Sequence, residues 1–447
     1  MARVAPTRLH APAPSGRATR RSADARVVRR GMAVWACRDD NAVDSTSSCT
    51  SAPTPLLSES FGRREALGSV AALTAGLMTL TPGDARAVVE EATTTARPVP
   101  DYTARGSYGV KRLPKLEHTC VSCFPRCVGD ACLLSIDAYV PTPPPVLPDA
   151  MFPIVGSKGE EELDGTLSRS RGPYPLAVFT SGFLVDSEQY ASYARRLCSW
   201  GYVVLQYNKR ENVAGGNALD DLVSAQMIKD LIGWAQSDVL LGQLVDTKGE
   251  EPSAGVYLVG HSRGGKISTL EALEDPRVRA ACLLDPVDNT VYAPLGVGFP
   301  SAVAAMQEGG EEASTSGRTP PLVVVGGARG GDCAPKGSNY VDFVREASAD
   351  SWGVEIAGAG HFQFLDNATF VQRAVCEEGF ASESEVRGVS QALMVAHAET
   401  IFRGVTRDAA LRETLGRLED EFGNGVGSKI DTDNAAAPWT VLRGWER

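Results

Sequence analysis

The sequence predicts the α/β class, a mostly parallel sheet with helices on both faces. Three observations carry the prediction. Short apolar runs alternate with helical stretches between residues 176 and 356, the pattern of strands joined by crossover helices. One run, Val256 to Val259, leads into Gly260-His261-Ser262-Arg263-Gly264 and then into helical sequence. The composition, 43% hydrophobic and 22% charged over 447 residues, suits a globular chain with a large buried core.

The elements follow in order. Residues 88 to about 117 bear Thr, Pro and Arg without periodicity and read as a linker. Leu133 to Val140 is a strand, stopped by Pro141-Thr142-Pro143-Pro144-Pro145, and a Gly- and charge-rich surface loop runs on to Pro175. Leu176 to Phe179 is a strand. Ser187 to Trp200 is a helix with Tyr190, Tyr193 and Leu197 on one face. Tyr202 to Gln206 is the next strand. Leu219 to Ser237 is a long helix, with Leu222, Ala225, Ile228, Leu231 and Ile232 at helical spacing. After Val256 to Val259 comes a helix from Lys266 to Leu273, then strands Val278 to Leu284, Leu322 to Val325 and Trp352 to Ile356. Val341 to Ala347 is a short helix between the last two strands. The Gly-, Ser- and Glu-rich stretch 298–319 reads as a flexible insertion. We divide the chain into a targeting region (1–87), a linker and Cys-rich arm (88–131), a catalytic domain (132–405) and a polar C-terminal tail (406–447).

Up to Arg38 there are nine arginines, no lysine and one acid, Asp24, the composition of an organelle transit peptide. Arg63-Arg64, the apolar run Ala66 to Leu80 and Ala85-Arg86-Ala87 then resemble a twin-arginine export signal. The apolar run falls short of the ~20 residues a membrane-spanning helix needs. This bipartite address points to the chloroplast and onward to the thylakoid lumen; a single presequence for stroma or mitochondrion is the alternative. The chain after residue 87 holds 32 basic and 48 acidic residues. With no basic tract in its body, nucleic acid is excluded as the main partner.

Of ten cysteines, four crowd at Cys120, Cys123, Cys127 and Cys132. In an oxidising lumen they form one or two disulfides that pin the arm to the first strand; structural zinc is the competing assignment. Cys198, Cys282, Cys333 and Cys376 stand alone, and Cys282, in an apolar run, reads as core.

A Gly-x-Ser-x-Gly sequence between strand and helix makes Ser262 a nucleophile, with Gly260 and Gly264 required for steric reasons. A serine hydroxyl needs a base, and only five histidines exist. His10 lies in the targeting region, His118 in the Cys-rich arm, and His397 in a helical pattern. The side chain of His261 leaves the elbow in the wrong direction. His361, in a glycine-rich loop after the last strand, is therefore the base. Asp285 and Asp332 both follow strands and are equal candidates for the acid that orients the imidazole; Asp288 reads as a turn aspartate.

Gly260-His261-Ser262-Arg263-Gly264-Gly265 resembles the lipase motif of chlorophyllases. Asp285-Pro286-Val287, Cys333-Ala334-Pro335-x-Gly337-x-Asn339 and Gly360-His361-x-x-x-Leu365-Asp366 are similar to further segments of that family, in the same order, over about Leu133 to Asp366. The resemblance implies an α/β-hydrolase fold and a Ser262–Asp285–His361 triad, with Asp332 secondary. Where the family usually has His-Gly-Phe, this chain has Ser181-Gly182-Phe183, which puts the geometry of that loop in question. The backbone N–H groups of Phe183 and Arg263 are the expected oxyanion donors.

The implied reaction is hydrolysis of the phytyl ester of chlorophyll, with no cofactor or metal held by the protein. The expected partner is a lipophilic pigment ester, with peripheral contact to the thylakoid membrane. Phe179, Phe183, Leu184, Phe299, Phe362 and Phe364 are candidates to line an apolar groove. A plastid lipase of platelet-activating-factor-acetylhydrolase type is the first alternative, and a catalytically silent pigment carrier on the same fold the second.

Overall fold

A computed structural model describes residues 98–124, 132–143, 172–209, 219–248, 251, 254–291, 293–312, 319–422 and 439–442. The expected targeting region, with His10, Cys37 and Cys49, lies outside them, as does Cys127.

The strands are β1 (Gly109–Arg112), β2 (Leu116–Thr119), β3 (Leu133–Thr142), β4 (Leu176–Thr180), β5 (Val203–Lys209), β6 (Val256–His261), β7 (Val278–Leu284), β8 (Leu322–Arg329), β9 (Trp352–Gly360) and β10 (Trp439–Leu442). They form one sheet in the order β1-β3-β5-β4-β6-β7-β8-β9-β10, with β2 also on β3. From β5 to β9 every neighbour is parallel; β1, β2, β3 and β10 add antiparallel edges. The helices are α1 (Ala191–Ser199), α2 (Asp221–Ser237), α3 (Arg263–Glu274), α4 (Ala302–Glu312), α5 (Tyr340–Glu346), α6 (Phe370–Val375), α7 (Glu383–Phe402) and α8 (Arg407–Phe422).

Because strand side chains alternate between faces, the fully buried central strands build two cores. Val178, Leu258, Leu283 and Val324 pack with Ile228 of α2, Ile267 of α3, Met306 of α4 and Phe343 of α5. Phe179, Val259, Cys282 and Val325 pack on the other face with Tyr193 of α1, Leu393 of α7 and Leu418 of α8. Burial raises the Cys282 thiol pKa, so it stays protonated within the core.

The structure differs from the sequence expectation at several places. Within the expected insertion, Asp288 accepts the Ala302 N–H at 2.7 Å and the Ser301 hydroxyl at 2.6 Å, capping α4, while Ala302 and Met306 are buried. The expected polar tail holds α8, which buries Ala410, Thr414 and Leu418 at four-residue intervals, and then β10. The expected linker and arm hold β1 and β2. Leu222 is exposed; its neighbour Asp221 takes the buried position at the start of α2. Cys333 and Cys376 do not stand alone but form a disulfide across 43 positions, a separation too long for local sequence to announce. Cys120 pairs with Cys123, and Cys132 is disulfide-bonded as well. Among the described residues, no cluster of three or more His, Cys, Asp or Glu side chains is disposed to hold a metal.

Candidate active site

The turn from β6 into α3 holds Ser262 at φ 56° and ψ −126°, a region that L-residues rarely occupy. The flanking glycines are steric necessities. A Cβ on Gly260 would lie 2.2 Å from the Gly264 carbonyl oxygen, and one on Gly264 would lie 2.2 Å from that of Thr180. The Ser262 N–H donates to Leu284 O at 3.0 Å, and its carbonyl accepts from Val287 N at 3.2 Å. The elbow is thus tied to the end of β7.

Asp285 stands one residue beyond β7, at φ 41° and fully buried. Its Oδ1 accepts the Gly327 N–H at 3.0 Å. Its Oδ2 lies 2.6 Å from Nδ1 of His361. His361 opens the turn after β9, and its Nε2 lies 2.9 Å from the Ser262 hydroxyl. The structure therefore brings Ser262, His361 and Asp285 into one chain of hydrogen bonds at the carboxyl ends of three parallel strands. Asp332 is exposed on the turn after β8, so the two aspartates left open by chain order differ sharply in burial and contact.

After β4 the chain turns at Gly182, with Val185 N donating to Gly182 O and Leu184 at φ 54°. Among the described residues, neither the Phe183 nor the Arg263 backbone N–H is taken by a protein acceptor.

Two of the other described histidines, His118 and His397, are occupied elsewhere. His118 pairs with Asp230 and stacks on Trp234. His397 is buried beside the Tyr257 hydroxyl, and burial drops its pKa to about 3.

His261 has a supporting place that its sequence position did not reveal. Its Nδ1 lies 2.7 Å from the Tyr190 hydroxyl and its Nε2 lies 3.0 Å from the carbonyl of His361. A carbonyl only accepts, so Nε2 carries the proton and Nδ1 accepts from Tyr190. The Tyr190 oxygen in turn accepts the Gly182 N–H at 3.2 Å. Burial, then repulsion from His361, holds the His261 pKa well below the ordinary range. A neutral imidazole thus links the Gly182 loop to the backbone of His361. Only the helical-face spacing of Tyr190 hinted that it was buried; nothing in the sequence paired it with His261.

Ser262 and His361 open onto a cavity of about 510 Å³. Its walls include Phe183, Leu184 and Phe362 among the side chains expected to line it. Phe179 and Phe364 are fully buried in the core instead. Phe299 packs under the Arg263 guanidinium, 5.8 Å from its ring centroid. Residues Val371 and Val375 of α6 complete an apolar wall, and the Cys333–Cys376 disulfide fastens that helix's end.

The chlorophyllase family profile matches residues 166–414 of this chain. The chain belongs to the chlorophyllase family. It is 25% identical to chlorophyllase-2 of Arabidopsis thaliana over 213 residues, which cover 44% of this chain and 63% of that protein. It is 28% identical to chlorophyllase-1 of the same plant over 252 residues, 50% of this chain and 71% of that protein. Family membership supports an ester hydrolase, in keeping with a serine, a histidine and an aspartate connected beside an open cavity.

Proposed function

We propose that this protein is a serine esterase that hydrolyses the phytyl ester of chlorophyll to chlorophyllide and phytol. The observation that carries this reading is the Ser262–His361–Asp285 relay opening on an apolar cavity in a chain of this family. Ser262 attacks the propionate carbonyl while His361 Nε2 takes its proton. Asp285 holds the Nδ1–H tautomer and stabilises the imidazolium. The Phe183 and Arg263 N–H groups receive the oxyanion, each donor lowering the barrier by ~3 kcal/mol. His361 then protonates departing phytol, and water cleaves the acyl-enzyme. The scheme draws on no cofactor held by the protein.

Leu184, Val371 and Val375, each more than half exposed at the mouth of the cavity, support a lipophilic alcohol and peripheral contact with a membrane that carries the pigment. Among the described residues no helix is long and apolar enough to cross a membrane. The disulfides Cys120–Cys123 and Cys333–Cys376 support an oxidising destination such as the thylakoid lumen.

The test is incubation of the protein with chlorophyll and, in parallel, galactolipid, followed by chromatography. Chlorophyllide released by the wild type and absent with Ser262→Ala is the expected result. Fatty acid release without chlorophyllide would replace this reading with the lipase.

A further inference from the structure

We infer that Lys266 is a second recognition point in the cavity, donating to an oxygen acceptor on the acyl half of the substrate; the inference rests on the esterase reading above. The acceptor class is a keto or ester carbonyl set beside the scissile ester.

Lys266 follows Ser262 by four residues on α3 and lines the same cavity, yet its side chain is only 3% exposed. Its ammonium lies 2.9 Å from Asp221 Oδ2. The other oxygen of Asp221 accepts from Arg263 Nε at 2.6 Å. One buried carboxylate therefore faces two buried or half-buried cations. An ammonium carries three N–H donors, and Asp221 occupies one of them. The other carboxylates at the cavity are engaged elsewhere. Asp288 caps α4, and Asp186, exposed at the rim, accepts from Glu188 N and the Asn208 amide.

A purely structural pin between α2 and α3 does not require this lysine. Arg263 already ties Asp221 and the Leu219 carbonyl to α3, and an apolar side chain of equal length would fill the space without desolvating a charge. A buried cation with unoccupied donors at a cavity wall is accounted for when an acceptor arrives with the ligand.

Chlorophyll has the matching chemistry. The ring fused beside its propionate bears a keto group and a methyl ester, both acceptors and both on the acyl side. Phytol offers no acceptor beyond the ester oxygen. The lysine therefore reads the acyl half, and the apolar mouth receives the alcohol.

The test uses two chromogenic substrates, p-nitrophenyl pentanoate and the p-nitrophenyl ester of monomethyl glutarate, which adds one ester carbonyl to the acyl chain. The wild type is expected to favour the diester at least tenfold in kcat/KM, mainly through KM. Lys266→Met should abolish that ratio and raise KM for chlorophyll by a similar factor, with Ser262 still labelled by a fluorophosphonate. A wild-type ratio near one, or a ratio that survives Lys266→Met, overturns the inference. Should Lys266→Met lose labelling, Lys266→Gln, which keeps a donor toward Asp221, is read by the same criterion. A wild type that cleaves both chromogenic esters but not chlorophyll removes the pigment reading and leaves the lysine test standing.

Discussion

Tyr190→Phe isolates one hydroxyl at the centre of the site's support. The ring stays, so contacts with Phe179 at 4.7 Å and His261 at 5.5 Å between centroids persist. Two buried groups lose their partner: the Gly182 N–H, 3.2 Å away, and His261 Nδ1, 2.7 Å away. Each unsatisfied buried group costs about 1–3 kcal/mol, so unfolding free energy should fall by about 2–6 kcal/mol. The proton on His261 is then no longer fixed on Nε2, and its bond to the His361 carbonyl weakens. Small displacements of a catalytic group lower turnover by roughly 10- to 100-fold. Urea unfolding and p-nitrophenyl ester kinetics read the two effects, with kcat falling and KM moving little. A stability change under about 0.5 kcal/mol with unaltered kcat would show that this hydrogen-bonded link supports neither the fold nor the base.

Three further perturbations bear on the same architecture. Asp285→Asn should lower kcat by about 10³- to 10⁴-fold while exposed Asp332→Asn changes it by less than about twofold; the reverse ranking in ester kinetics would exchange the two acids. Gly264→Ala would set a Cβ 2.2 Å from Thr180 O and 2.6 Å from Ser181 O. Backbone cannot yield as a side chain does, so roughly 100-fold or more of activity should vanish through displacement of the segment after β4; retained turnover would show that segment giving way freely. Glu271 is buried on α3, and burial, then Asp275, raises its pKa from 4.5 to about 8. A raised acid pKa favours the folded state fully below the unfolded value, and this contribution fades as pH climbs from about 4.5 through 8. Glu271→Gln should therefore raise the melting temperature at pH above 8 and flatten its decline from pH 5, as followed by circular dichroism; parallel melting profiles for the two proteins would contradict this.

The features readable from the chain alone are local ones. The elbow at Ser262 was legible because a strained turn between a strand and a helix demands glycine at fixed offsets, and those offsets survive in any context. The central strands were legible because burial on both faces makes them continuous apolar runs. His361 was reachable because histidines are few and the other four lie in settings that disfavour them. Features that depend on the distance between remote segments emerge only in the folded molecule. Asp285 and Asp332 both follow strands, and only packing buries one against His361 while leaving the other in water. Helix α4 escaped notice because small or widely spaced residues bury it, giving weak periodicity. Cys333 and Cys376, Tyr190 and His261, and Asp221 and Lys266 meet through the fold. A hydrogen bond or disulfide is set by separation in space, and chain order carries that separation only within a turn or two.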